Sequence, residues 1–201
     1  MSELAVLQAV RLKGRVSLVD LAATLGETTD DVAGTVARLT NAGLLIDGKA
    51  LRVSPDGRAR LDELLVAERT QIDTAALAAA YAAFRAVNAE FKALVTDWQL
   101  KDGRPNAHDD AAYDAAILTR LDEVHHRAAP IVAAAAAQVP RLSHYSAKLQ
   151  AALDNIHGGD TAWLSRPLID SYHTVWFELH EELIAAAGLT RESEAQSGDA
   201  Q

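Results

Sequence analysis

The chain has 201 residues, of which 49% are hydrophobic and 23% charged, and its formal net charge is −9. This is the composition of a folded protein with one large domain or two small ones, and it excludes a disordered chain. The absence of cysteine excludes disulfides, thiol nucleophiles and thiolate zinc sites. Charge is uneven: residues 1–70 carry nine Lys+Arg against ten Asp+Glu, and the remainder carry ten against eighteen. Phosphate contacts supply most non-specific DNA affinity, so a nucleic-acid role belongs to the near-neutral first third. No basic region followed by an apolar stretch and a cleavage site opens the chain. Ala128–Val139, the longest weakly polar stretch, is too short for a membrane span of about 20 residues. A cytoplasmic protein without membrane contact is expected.

Leu4, Leu7 and Val10 recur at helical spacing, which predicts a first helix from Glu3 to Leu12, stopped by Gly14. Val16 reads as a one-residue strand bridge. Ser17 with Asp20 is a loose capping box, opening a second helix to Leu25 whose buried face is Leu18, Leu21, Ala22 and Leu25. Gly26 supplies the left-handed residue that closes a helix. Thr28 or Thr29 caps a third helix with Asp30 and Asp31 in its first turn, where acids complement the helix dipole. Val32, Val36, Leu39 and Leu44 are its expected core face. Leu44–Asp47 and Ala50–Val53 read as strands joined through Asp47-Gly48, a strong hairpin signal. Pro55 then starts a fourth helix.

Helix, helix-turn-helix, hairpin, helix is the winged-helix order. "LVDLAATLGETTDDVAGTVARLTNAGLL" followed by "VSPDGRARL" resembles the winged helix-turn-helix of bacterial regulators of the MarR and related broad families. The Ser54-Pro55-Asp56-Gly57 step after the hairpin resembles the Ser/Thr-x-x-Gly step of that pattern. The resemblance implies a third helix lying in the DNA major groove and a wing touching the backbone. On this sequence Thr28, Thr29, Thr35, Arg38 and Asn41 would then face the groove, Lys49 and Arg52 the wing contact, and Arg58 and Arg60 the phosphates. This chain departs from the family in that Arg38 is the sole base on the third helix and nearly all extra helix lies C-terminal.

From Asp73 to Gln99, Tyr81, Phe84, Asn88, Phe91, Val95 and Trp98 form one helical stripe. The stretch "KDGRPNAHDD" is full of breakers and reads as a loop. A helix from about Asp110 to Gln138 carries Ile117, Leu121, Val124, Ala128, Ile131 and Ala135, and Pro130 is expected to kink or split it. Another begins after Pro140 with Leu142, Tyr145, Leu149 and Leu153, and ends at Gly158-Gly159. The last is expected from Asp160 or Thr161 to Ala187, with Leu168, Tyr172, Val175, Trp176, Leu179 and Leu183 aligned and Pro167 disturbing its first turn. The fold class expected is mainly α. Residues 1–70 would form the winged helix-turn-helix and 71–190 an antiparallel bundle of about four long helices, used for dimerisation or effector sensing. Residues 191–201 would be a disordered tail.

Two side-chain sets invite chemistry. Asn88 interrupts an aromatic stripe, and a buried amide needs a partner. Tyr113, His125, Tyr172 or His173 would serve, as would a small ligand lined by Asn88, His125, Tyr172, His173 and Trp176. Asp122, His126, His173 and His180 are the one conceivable metal set. The Asp122–His126 spacing is similar to the Asp-x-x-x-His of metal-binding helical domains in GntR-type regulators, but the rest of the spacing does not fit, so no metal or other cofactor is assigned. No GxGxxG, P-loop or G-x-S-x-G occurs, and no enzymatic activity is expected. "PLIDSYHTVWFELHEELI" with "NAEFKALVTDWQLKDGRPN" is similar to helical segments of bacterial pyruvate, phosphate dikinase-like proteins that lie outside that family's chemistry. That likeness implies a docking or regulatory module linked to phosphoenolpyruvate metabolism. The sequence therefore predicts a homodimeric transcriptional regulator that binds double-stranded DNA and takes a small-molecule effector. The alternative is a winged-helix accessory module without DNA binding.

Overall fold

The computed structural model describes residues 1–190; the tail expected at 191–201 lies outside the described residues. The chain is mainly helical, with two small antiparallel hairpins. It divides into two compact units, Met1–Ile72 and a second from Asp73 on.

In the first unit, α1 (Glu3–Lys13), α2 (Leu18–Leu25) and α3 (Thr29–Asn41) are followed by β1 (Leu45–Ile46), β2 (Arg52–Val53) and α4 (Pro55–Arg69). Local chemistry sets each boundary. Ser2, Ser17, Thr28 and Ser54 are all N-caps whose hydroxyls accept a backbone N–H, satisfying donors that the helix itself cannot. Gly26 closes α2 in the left-handed conformation, φ 69°. Leu45 pairs with Val53 and Ile46 with Arg52. The expected bridge at Val16 is present, reaching Leu51, so the chain between α1 and α2 is bonded to the hairpin. The core is Leu7, Val10, Leu21, Val32, Leu39 and Leu61, each almost fully buried. Each such side chain contributes about 1.5–3 kcal/mol by leaving water. Leu44, expected in that core, is only half-buried, and Leu45 is buried in its place. The first hairpin residue turns inward because strand alternation, not helix periodicity, governs that segment.

The Ser54–Gly57 step has a mechanical role. The Ser54 hydroxyl donates to the Gly43 carbonyl at 2.6 Å and accepts the Gly57 N–H at 2.9 Å. The Ser54 N–H donates to the Leu44 carbonyl at 3.0 Å. Serine thus ties the start of α4 to the end of α3. A Cβ at Gly57 would stand 2.0 Å from the Leu44 carbonyl oxygen, so only glycine allows α4 to seat against the hairpin.

In the second unit, α5 (Thr74–Gln99) and α6 (Ala111–Gln138) are joined by a hairpin of β3 (Leu100–Lys101) and β4 (Arg104–Pro105). The segment expected as plain loop therefore folds back on itself; Gly103 at φ 74° and Asp102 at φ 52° make the tight reversal. Arg120 bonds Asp97 and Arg127 bonds Glu90, a register that runs α5 and α6 antiparallel. A 3-10 turn at Pro140–Leu142 leads into α7 (His144–His157), and α8 (Tyr172–Ala187) packs on α5 and α7. Of the two outcomes expected at Pro130, a kink or a split, the split does not occur, because α6 runs through it. Pro130 and His126, whose carbonyl the proline leaves without its helical donor, are both exposed. The last helix starts twelve residues after Asp160, at Tyr172, with Ser171 as its cap. Only a 3-10 turn, Thr161–Trp163, forms earlier. Pro167 disfavours helix at Arg166, and Leu168 sits at φ 68° with its side chain fully exposed, far from the core face expected of it.

Candidate nucleic-acid interface

The exposed face of α3 is poor in positive charge. Asp30, Asp31, Gly34, Ala37, Arg38 and Asn41 are exposed, while Thr29 and Thr35 are half-buried, giving two acids against one base. Thr28 is committed to its cap: its hydroxyl donates to the Asp31 carboxylate at 2.5 Å and accepts the Asp31 N–H at 3.2 Å. Arg38 lies 3.8 Å from Glu3 of α1. Arg60 is bound more closely, to Glu3 at 3.0 Å and to Glu63 at 3.0 Å. Its hydrogen bonds to these two carboxylates raise its pKa. Two bases assigned to DNA from the sequence therefore converge on one carboxylate.

The hairpin side differs. Lys49, Arg52 and Arg58 are exposed, and among the described residues they form no ion pair or hydrogen bond through their side chains. Arg15, also exposed, joins them in this respect. A groove of about 520 Å³ runs between the end of α1, the hairpin and the start of α4. Val10, Ile46 and Val53 line it along with Arg11, Arg52 and Arg58. A second groove of about 230 Å³ is lined by Arg15, Lys49 and Arg52. Arg52 belongs to both. Arg11 also bonds the Gln8 side chain at 3.0 Å.

Arg11 and Arg15 were missed by sequence reasoning, although a signal existed. "RLKGR" packs three bases into five residues immediately before Val16. With Val16 bridged to Leu51, two of them, Arg11 and Arg15, border the grooves at the hairpin.

The other sequence-derived site residues make contacts with one another and with their neighbours in the second unit. Asn88 is satisfied by Trp176, whose indole N–H donates to the Asn88 Oδ1 at 2.9 Å; Trp176 was not among the partners considered for it. Trp176 stacks on Phe84 with centroids 4.9 Å apart and meets Phe91 at 4.5 Å. Tyr172 is buried, with its hydroxyl 3.1 Å from the His125 Nδ1. The His125 Nε2 is 3.1 Å from the Gln150 Oε1, which only accepts, so the neutral ring carries its proton on Nε2 and Tyr172 donates to Nδ1. Burial lowers the pKa of His125 and of His173. The four conceivable metal ligands do not converge: His180 pairs with the Tyr81 hydroxyl at 3.2 Å, Asp122 with His157 at 2.9 Å, and His126 is exposed. Among the described residues no group of three or more His, Asp or Glu is placed to hold a metal ion, and no helix is long and apolar enough to cross a membrane.

Comparison of the chain with protein-family models, with curated proteins and with solved structures returns no match.

Proposed function

We propose that the chain is a DNA-binding transcriptional regulator. Residues 1–72 act as a winged helix-turn-helix with β1 and β2 as its wing. The helices from Asp73 on form a bundle for homodimerisation or for sensing a small molecule. The observation that carries the reading is the set of exposed, unpaired cations around the hairpin, Arg15, Lys49, Arg52 and Arg58. Like charges held close together repel unless an anion joins them, and duplex DNA presents a phosphate for each 1.7 Å or so of its axis. A dimer doubles the cation count, which a module with few bases needs.

The test is binding of the purified chain to its own upstream DNA and to random duplex at low and at near-physiological salt. The reading expects binding that weakens steeply with salt, and a dimer in sedimentation. No binding to either duplex at low salt sinks it. The acidic first turn of α3 favours a second reading, a winged-helix module that docks on a protein. Under that reading the chain ignores DNA and copurifies with one stoichiometric partner.

A further inference from the structure

The unpaired positive charge of the first unit lies on the hairpin side and not on α3. We infer that the hairpin face, with the end of α1 and the start of α4, is the surface that meets duplex DNA, and that α3 stays out of the groove. This rests on the DNA-binding reading and adds the geometry of the contact.

Two independent features support the placement. The first is what α3 offers. Its exposed face holds Asp30 and Asp31 against Arg38, Thr28 is occupied by its cap, and Arg38 shares Glu3 with Arg60. A helix entering the major groove brings its N-terminal residues to the bases. Here that end would carry two carboxylates between phosphate rows, at a cost in repulsion that one arginine does not offset.

The second is the shape of the basic face. Arg11, Arg52 and Arg58 border one groove, and Arg15, Lys49 and Arg52 border the adjoining one. The two grooves share Arg52, so five basic side chains border adjoining grooves. Asp47 and Asp56, the nearest acids in sequence, border neither groove. Guanidinium groups suit phosphate because their forked donors match its oxygens. A string of phosphates along a strand is the ligand that fills adjoining grooves of this kind. Phosphate contacts carry affinity without reading bases, so the expected binding has modest sequence preference and strong salt dependence.

The full-length chain is titrated onto fluorescent duplex at about 50 and about 200 mM salt, with circular dichroism confirming the fold of each variant. Arg52→Ala is expected to weaken binding about tenfold and to reduce the salt slope by about one. Arg58→Ala and Arg15→Ala follow it with smaller losses. Arg52→Lys, which keeps the charge but not the forked donors, restores the salt slope and only part of the affinity, and Arg38→Ala stays within about twofold of wild type. If Arg38→Ala abolishes binding while Arg52→Ala preserves it, this inference falls and the DNA reading stands. Absence of wild-type binding at the lower salt overturns both. Tighter binding to single strands or to anionic vesicles than to duplex overturns duplex DNA as the partner.

Discussion

The hairpin side of the first unit and the helices of the second use charge differently. From Asp73 on, basic side chains close contacts between elements. Arg127 forks onto Glu90 at 2.5 and 2.8 Å, Arg120 reaches Asp97 at 2.7 Å, and Lys101 reaches Asp110 at 2.8 Å. Deeper in, Arg141 pairs with Glu182, their side chains only 12% and 6% exposed, and Lys148 meets Asp170 at 2.9 Å. In the first unit Arg15, Lys49, Arg52 and Arg58, around the hairpin, bridge no elements. The hairpin is held instead by backbone bonds, by the Ser54 tie and by the close seat at Gly57. The difference teaches where to look for function. A charge that bridges two helices is accounted for by the fold, whereas a cluster of unpaired like charges is not, and it points outward to a ligand.

The comparison breaks first at Gly57. Gly57→Ala places a methyl group against the Leu44 carbonyl, where neither backbone has room to move. A loss of about 3 kcal/mol or more is expected, at the upper end of overpacking costs. Amide hydrogen exchange should confine the damage to residues 1–72. Arg52→Ala and Arg58→Ala, at exposed unpaired positions, should leave the unfolding midpoint where it is. Were either of them to destabilise the first unit as Gly57→Ala does, the claim that Arg52 and Arg58 are surplus to the fold would fail.

The reverse holds in the second unit. Glu182→Ala removes one partner of the Arg141–Glu182 pair, whose side chains are 12% and 6% exposed. Removing one partner of a buried pair costs about 3–5 kcal/mol, so a loss near 3 kcal/mol is expected in urea unfolding. The exposed Arg127–Glu90 pair is the control. Its hydrogen bonds lower the Glu90 pKa and raise that of Arg127, yet both groups are solvated and the pair is screened. Arg127→Ala should not shift the midpoint measurably. Equal effects from the two substitutions would show that burial is not what separates these pairs.

His144 sharpens the same contrast through pH. Burial, and next the charge of Lys148, hold its pKa down to about 4, against about 6.5 in an unfolded chain. Between those values the unfolded chain binds a proton that the folded chain refuses. Stability is therefore full above about pH 6.5, falls as pH drops, and levels off below about 4. The loss is about 2 kcal/mol, discounted for the partial exposure of the ring. His125 and His173, also lowered by burial, act in the same direction. Proton NMR should find His144 neutral at pH 5, and His144→Asn should flatten the stability profile there. A His144 that titrates near 6.5 refutes the buried setting.

Much of this was legible in the sequence wherever one local rule decided the outcome. Ser17 caps α2 as expected, and of the two candidates Thr28 and Thr29 it is Thr28 that caps α3. The stripe from Tyr81 to Trp98 is buried throughout. Illegible were features that depend on partners far along the chain. Glu3 lies 57 residues from Arg60, and only the fold brings Arg60 and Arg38 to it. Nothing local tells that Trp176 satisfies Asn88, 88 positions away. The site followed the same division. The hairpin and its Lys49 and Arg52 were visible locally, but the contribution of Arg11 and Arg15 needed the Val16–Leu51 bridge to bring the strands together. Of the last stripe, Tyr172, Val175, Trp176, Leu179 and Leu183 are buried and only Leu168 falls out, because spacing assumes a continuous helix and Pro167 and the Ser171 cap delay it until Tyr172.

Leu168 offers the smallest effect. Its backbone is left-handed, φ 68°, and its side chain is fully exposed. A left-handed residue other than glycine costs about 1–2 kcal/mol, and glycine avoids that strain while losing more freedom on folding, about 0.5–1 kcal/mol. Leu168→Gly should thus stabilise the second unit by about 0.5 kcal/mol, read as a small rise in the urea midpoint. Leu168→Ala keeps the strain and removes only solvated atoms, so it should change nothing. The pair of variants separates backbone from side chain: a gain with glycine alone locates the cost in φ. A loss with alanine on the scale of a core leucine, about 2–5 kcal/mol, would instead mean that something covers this side chain in solution. The second unit would then hold an outward-facing contact of its own, and the contrast with the hairpin face would no longer stand.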